Sequence, residues 1–268
     1  MRPLREIAFE KLAAMKFVLA DIDDTLTLNG RIPAAVYTAL EKLHDAGIIL
    51  IPITGRPAGW CDHIARMWPV DGIVGENGAF YFYYCADRQK MIRRYAKSDT
   101  ERQQDHDRLQ ALGLAILTAI PEAKIAADQA YRETDLAIDI CEDVPPVTPA
   151  RVEKIKEIFM TAGATAKISS IHVNGWFGEY DKLSMTRSFF LEVLGQKLEA
   201  VKDQVLFIGD SPNDMPMFDY FPNSVGVANV LHYLDESSAK PAWITGNAGG
   251  RGFVELAEAI LSVQQIAQ

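Results

Sequence analysis

The sequence predicts an α/β protein, a parallel-sheet core interrupted by a smaller α+β insert. Three observations lead there. Short apolar runs without period-two alternation are separated by stretches of helical periodicity, the pattern of strands covered on both faces by crossover helices. This pattern stops near residue 85 and resumes near residue 180. The stretch between them carries aromatic and alternating runs that read as hairpin and mixed structure.

In chain order, Met1 to Lys16 mixes Arg2, Arg5, Glu6, Glu10 and Lys11 with apolar residues, which predicts a short amphipathic helix rather than a secretion leader. Met15, just before the first strand, offers a second start codon. Lys16 to Ala20 is a strand that ends abruptly in carboxylates. Ala34 to Ala46 reads as a helix closed by Gly47, and Ile48 to Ile53 as a strand closed by Thr54-Gly55-Arg56-Pro57. Trp60 to Met67 is helical and leads into Gly72-Ile73-Val74. Ala79 to Cys85 and Met91 to Tyr95 form a hairpin about Asp87 and Arg88. Ser98 to Ala119 and Thr148 to Ala162 read as helices, followed by strands over Leu136 to Ile140 and Ile168 to Val173. The core pattern then returns with a helix over Ser184 to Leu194, strands at Val205 to Ile208 and Val225 to Val227, and a closing helix over Gly252 to Ile266. The expected division is a core of residues 1–84 plus 181–268 and an insert of residues 85–180.

With 268 residues, 49% hydrophobic and 24% charged, the chain can bury a sizeable core. Its formal charge of -9 argues against nucleic acid, whose phosphates reward a basic footprint. No apolar run approaches a membrane span. Cys61, Cys85 and Cys141 are far apart and odd in number, with neither disulfide nor metal spacing, which suits a cytoplasmic protein. Net charge does not exclude a small phosphorylated metabolite, since a bound cation and a few local bases can reverse the sign of one pocket.

In an open parallel sheet, ligands bind beyond the carboxyl ends of the strands. Those ends carry Asp21 and Asp23, then Thr54, Gly55 and Arg56, then Asp210, with Asn213 and Asp214 in the next turn. Each acid alone could be a helix cap. Several converging on one edge repel unless a cation sits among them, and hard oxygen ligands without cysteine or clustered histidine favour magnesium.

Asp21-Ile22-Asp23-Asp24-Thr25 resembles the first motif, DxDx[TV], of the haloacid dehalogenase-like phosphatases. Thr54-Gly55-Arg56 is similar to the second motif, Lys182 to the third, and Gly209-Asp210-Ser211-Pro212-Asn213-Asp214 to the fourth, in the family's order. The resemblance implies Asp21 as covalent nucleophile and Asp23 as general acid and base. Thr54 and Lys182 would hold the transferring phosphoryl group, and Asn213 would help hold the phosphate or the lysine. Magnesium would bind the Asp21 carboxylate, the Asp23 carbonyl and Asp210, with Asp214 holding metal-bound water or orienting Lys182. Lys167 and Lys202 are weaker competitors for the lysine role.

An insert between the second and third motifs resembles the type C2B cap of subfamily IIB, which includes Cof-like and sucrose-phosphate phosphatases. This implies hydrolysis of a sugar phosphate or similar small metabolite, by a monomer or homodimer. A phosphomannomutase-like mutase and a non-catalytic module on the same fold are the competing readings. Asn77, in Gly75-Glu76-Asn77-Gly78-Ala79, is a substrate contact or a turn residue. Gly55 is expected to bind substrate, and Arg56 is either a substrate contact or a structural anion partner. His172, Asn174, Trp176 and Glu179 could face the substrate from the cap, although Trp176 and Phe177 are expected rather to pack the domain junction.

Overall fold

The computed structural model describes residues 1–234 and 239–267. Strand β1 (Arg2–Pro3) and the short helix α1 (Phe9–Ala13) precede β2 (Phe17–Ala20). Then follow α2 (Ala34–Asp45), β3 (Ile49–Pro52), α3 (Ala58–Met67), β4 (Ile73–Gly75) and a hairpin of β5 (Phe80–Cys85) with β6 (Lys90–Tyr95). The insert runs α4 (Asp99–Ala119), β7 (Lys124–Ile125), β8 (Leu136–Asp139), α5 (Pro149–Thr161), β9 (Thr165–Ile168) and β10 (His172–Trp176). The core resumes with α6 (Lys182–Glu192), α7 (Leu198–Val201), β11 (Val205–Gly209), α8 (Met215–Tyr220), β12 (Ser224–Gly226), β13 (Trp243–Ile244) and α9 (Gly249–Ala267).

The core sheet has the order β1-β13-β12-β11-β2-β3, and every pairing is parallel. The apolar runs are explained by burial on both faces. In β2, Val18 and Ala20 join a cluster with Leu40 of α2 and Leu256 of α9. Phe17 and Leu19 point the other way, into a cluster with Phe189 and Phe190 of α6 and Phe218 of α8.

A parallel bridge from Ile53 to Val74 carries the core edge on to β4, which pairs antiparallel with β5 and through it with β6. Phe80 and Phe82 of β5 lie in the first core cluster and Tyr81 in the second, so the hairpin packs on the core. Residue 85, where the insert was expected to begin, is the last residue of β5. The cap sheet itself is antiparallel, β7-β8-β10-β9. Its own apolar cluster joins Leu109 and Ile116 of α4, Ile155 and Phe159 of α5, and Ile138 and Val173 of the sheet.

Two expectations are corrected. The helix expected across Met1 to Lys16 is confined to Phe9–Ala13. Arg2 and Pro3 instead pair with Trp243 and Ile244 at the sheet edge, where a proline is tolerated, and Leu4 is anchored in the core. The strand expected over Ile168 to Val173 contains a turn. Ser169 Oγ accepts from His172 N at 3.0 Å, so the serine side chain competes for the backbone and splits the run into β9 and β10. No helix among the described residues is long and apolar enough to cross a membrane.

Candidate active site

Register brings the strand ends together. Ala20 lies opposite Pro52 in β3 and Ile208 in β11, so Asp21, Thr54 and Asp210 emerge on one edge of the sheet. Beyond Ile22 the chain turns sharply. Ile22 O accepts from the N–H groups of Thr25, Leu26 and Thr27 at 3.3, 2.9 and 3.0 Å, and Asp24 takes a left-handed φ of 56°. The turn gives Asp21 and Asp23 different neighbours. Gly209 is needed at the end of β11 because a Cβ there would sit 2.6 Å from Asp214 Oδ2.

Lys182 Nζ lies 2.8 Å from Asp21 Oδ1 and 2.7 Å from Asp214 Oδ1, and all three residues are buried. Lys182 opens α6, capped by Asp181, whose carboxylate accepts from Ser184 N at 2.7 Å. Gly78 leaves room for that cap, since a Cβ there would lie 2.0 Å from Asp181 O. The other oxygen of Asp214 accepts from Asp210 N at 3.1 Å and Ser211 N at 3.3 Å, which fixes the carboxylate that orients the lysine. Burial works to lower the Lys182 pKa, but Asp21 and Asp214 outweigh it, so the ammonium stays protonated.

Among the described residues, the side-chain donors to Asp210 are neutral, Thr25 Oγ1 at 3.0 Å and Asn229 Nδ2 at 3.0 Å. Burial first, and then Asp21, Asp214 and Asp24, push its carboxyl well above the usual range. Burial likewise raises Asp21, against the pull of Lys182. Oxygens of Asp21, Asp210 and Asp214 lie within 4.8 Å of one another. Three buried acids, two of them sharing one lysine, fit a hard divalent cation.

Asp23 is turned toward the cap. Arg56 grips it with Nε at 2.9 and 3.0 Å and Nη2 at 2.8 Å. The same guanidinium reaches Glu142 Oε1 at 2.6 Å and Asp128 Oδ2 at 3.4 Å, both in the insert, and stacks over Trp60 at 4.5 Å. Its acidic partners raise the pKa of Arg56 against the opposing effect of burial. Behind it, the buried Arg132 bonds Asp128, Asp135 and the carbonyl of Gly55. His172 Nε2 lies 3.0 Å from Glu142 Oε2, off the angle of a hydrogen bond. His172 and then Arg56 hold the Glu142 carboxyl down to about 2, against its burial.

Thr54 is buried, with Oγ1 accepting from Arg56 N at 3.0 Å. Asn77 has a left-handed backbone, φ 55°, and its Oδ1 accepts from Asn213 Nδ2 at 3.5 Å. Its Nδ2 is buried without an acceptor, so Asn77 is both a turn residue and a side chain of the site. Asn174 donates to Asp135 Oδ2 at 2.8 Å and lines the same cavity as Asp21, Asp23, Gly55, Arg56 and Asn213. Glu179 is exposed, and Trp176 is buried against Tyr180 at 5.9 Å. Sequence reasoning passed over Thr25, although its place in the first motif marks it. It also missed Asp128, Arg132, Asp135, Glu142 and Asn229, which carry no local signal.

The site is thus a carboxylate and a lysine at the mouth of a parallel sheet, under an inserted cap, the arrangement of a phosphoryl-transfer hydrolase. The family model for haloacid dehalogenase-like hydrolases matches residues 18–104 and 151–247, more than half of the chain. The chain belongs to that family of haloacid dehalogenase-like hydrolases. It is 22% identical over 244 residues to "Phosphoglycolate phosphatase" of Methanoculleus marisnigri, covering 90% of this chain and 94% of the relative. It is 25% identical over 254 residues to "Phosphoglycolate phosphatase 1" of Saccharolobus solfataricus, covering 92% and 96%. A solved subclass IIB sugar phosphatase shares the fold with a TM-score of 0.59 at 15% identity, covering 93% of this chain and all of that one, 100%.

Proposed function

We propose that this chain is a magnesium-dependent phosphomonoester hydrolase that works through an aspartyl-phosphate at Asp21 on a small phosphorylated metabolite. The observation that carries this reading is the contact of Lys182 with both Asp21 and Asp214, beside Asp210. An Asp21 oxygen would form a bond to phosphorus as the bond to the leaving alkoxide breaks, and Asp23 would deliver the proton that alkoxide needs. Asp23 would then take a proton from the water that attacks the aspartyl-phosphate, releasing phosphate and restoring Asp21. Lys182 and Thr54 would hold the phosphoryl oxygens, with Asn213 and Asn77 at their flank.

Asp21, Asp210 and the carbonyl of Asp23 would hold the magnesium, which supplies neutralisation of phosphoryl charge. Asp214 would orient Lys182. Residues 85–180 would act as the cap, excluding bulk water from the aspartyl-phosphate. The subclass points to sugar phosphates as substrates, while the names of the two sequence relatives bring forward phosphoglycolate.

The test is a panel of phosphorylated metabolites with magnesium, scored by phosphate release. Asp21→Asn is expected to lose about 10⁴-fold or more in kcat. Undiminished release by that variant would sink the mechanism.

A further inference from the structure

We infer that Asn229 is a positioning residue for the cation donor Asp210, and that it ties this donor to the start of the closing helix α9. The inference rests on the magnesium reading above and adds to it a residue that lies outside the four motifs.

Asn229 follows β12 in the short helical turn Ala228–His232 and is half-buried. Its side-chain amide makes three contacts. Nδ2 donates to Asp210 Oδ2 at 3.0 Å and to the carbonyl of Asp24 at 3.0 Å, while Oδ1 accepts from Gly249 N at 2.9 Å. Both hydrogens of Nδ2 and the amide oxygen are thus matched, and exchanging the two ends would set oxygen against two oxygens. A turn asparagine that only stapled loops together would need the Asp24 and Gly249 contacts. Such a role leaves the bond to Asp210 without a reason.

Asp210 is held at both oxygens. Thr25 Oγ1 donates to Oδ1 at 3.0 Å while Asn229 takes Oδ2, which fixes the plane of the carboxylate. Each oxygen of an ionised carboxylate offers about two acceptor sites, so one neutral donor apiece leaves room for a cation. A lysine or arginine in the same place would orient the group and cancel its charge as well. Asp214 shows that alternative, with Lys182 Nζ 2.7 Å from its Oδ1. An amide and a hydroxyl are the partners that hold a metal donor in place without competing for its charge.

The partners of the amide are themselves fixed. Asp24 stands in the first-motif turn with its N–H on Thr27 Oγ1 at 2.8 Å. Gly249 opens α9 with a left-handed φ of 52°, and a Cβ there would lie 2.5 Å from Thr27 O. Gly250 N bonds that same carbonyl at 3.0 Å. The first-motif turn, the turn after β12 and the start of α9 therefore close on one another around Asn229, and together they place Asp210.

The experiment measures magnesium binding by titration calorimetry, without substrate, on the wild type, Asn229→Ala and Val263→Ala. Val263 is buried in the core about 20 Å further along α9, so its variant loses packing without touching the site. The Kd for magnesium is expected to rise about tenfold or more in Asn229→Ala and to keep its wild-type value in Val263→Ala. In phosphate release, Asn229→Ala should need more magnesium for half-maximal rate and recover kcat once magnesium saturates. An unchanged Kd with a lowered Tm would reduce Asn229 to a loop staple and overturn the assignment. Should Asn229→Ala not fold, Asn229→Ser is read in the same way, because a single hydroxyl cannot serve all three partners. A wild type that binds no magnesium in the calorimeter would bring down the cation reading and this inference with it. If magnesium binds but no phosphate is released from any substrate, the phosphatase reading falls alone and the Kd comparison still decides the role of Asn229.

Discussion

Two groups of acids meet at Asp21 and Asp23, and they are neutralised differently. On the cap side Asp23, Glu142, Asp128 and Asp135 each touch a guanidinium. On the sheet side Asp21 and Asp214 share one lysine, and Asp210, among the described residues, accepts side-chain bonds from a hydroxyl and an amide only. Carboxylates taken out of water need a counter-charge. The cap side carries its own, built from side chains of both core and insert, and so acts as a latch between them. The sheet side is short of positive charge, which the proposed divalent cation would supply. One sequence thus makes a self-contained network and an open one within a few ångströms.

The comparison breaks most visibly at Lys182. Lys182→Met should cost about 10²–10³ in kcat, since it removes a preorganised charge from the phosphoryl side. An equal loss in a thermal melt without a kcat effect would mean that the lysine serves only to neutralise Asp21 and Asp214. Asp210→Asn tests the cation deficit directly. The magnesium needed for half-maximal phosphate release should rise about tenfold or more, whereas an unchanged requirement would remove Asp210 from the donor set.

Glu76 sharpens the comparison as an intermediate case. Fully buried, it accepts from Ala58 N at 2.9 Å, Glu133 N at 2.9 Å, Thr134 N at 2.6 Å and the Thr134 hydroxyl. It therefore ties the insert to the core through neutral donors. Burial, then Asp135, push its pKa from the usual 4.5 up to about 7, against Arg132 and these hydrogen bonds. Below about 4.5 both folded and unfolded chains hold the proton. Between about 4.5 and about 7 only the folded chain does, so its contribution to stability declines as pH rises through that window. Relative to Glu76→Gln, the wild-type Tm should fall by roughly a few degrees from pH 4.5 to pH 7. Parallel Tm curves for the two proteins would show that Glu76 is ionised throughout.

Much of the core could be read in advance because its signals are local. Apolar runs such as Phe17–Ala20 and Val205–Gly209 mark strands buried on both faces, and polar residues directly beyond them fall on the sheet edge. The hairpin and the helices of the insert were legible for the same reason, and α4 shows its capping box in Ser98 and Glu101. The N-terminal segment misled because helical periodicity does not register a strand partner lying some 240 residues away, at Trp243. The turn at Ser169 misled because a side-chain bond outweighed the apolar run around it.

The order of the acids, the lysine at the start of its helix, and the alternation of strand and helix are properties of the chain itself. They determined a parallel-sheet core of the haloacid dehalogenase-like type with Asp21 at its mouth and an insert beside it. What surrounds Asp23 was decided only in three dimensions. Arg56 and Glu142 are 86 residues apart and sit in different layers, and their pairing depends on how the insert folds back over the sheet. No periodicity or motif encodes that contact.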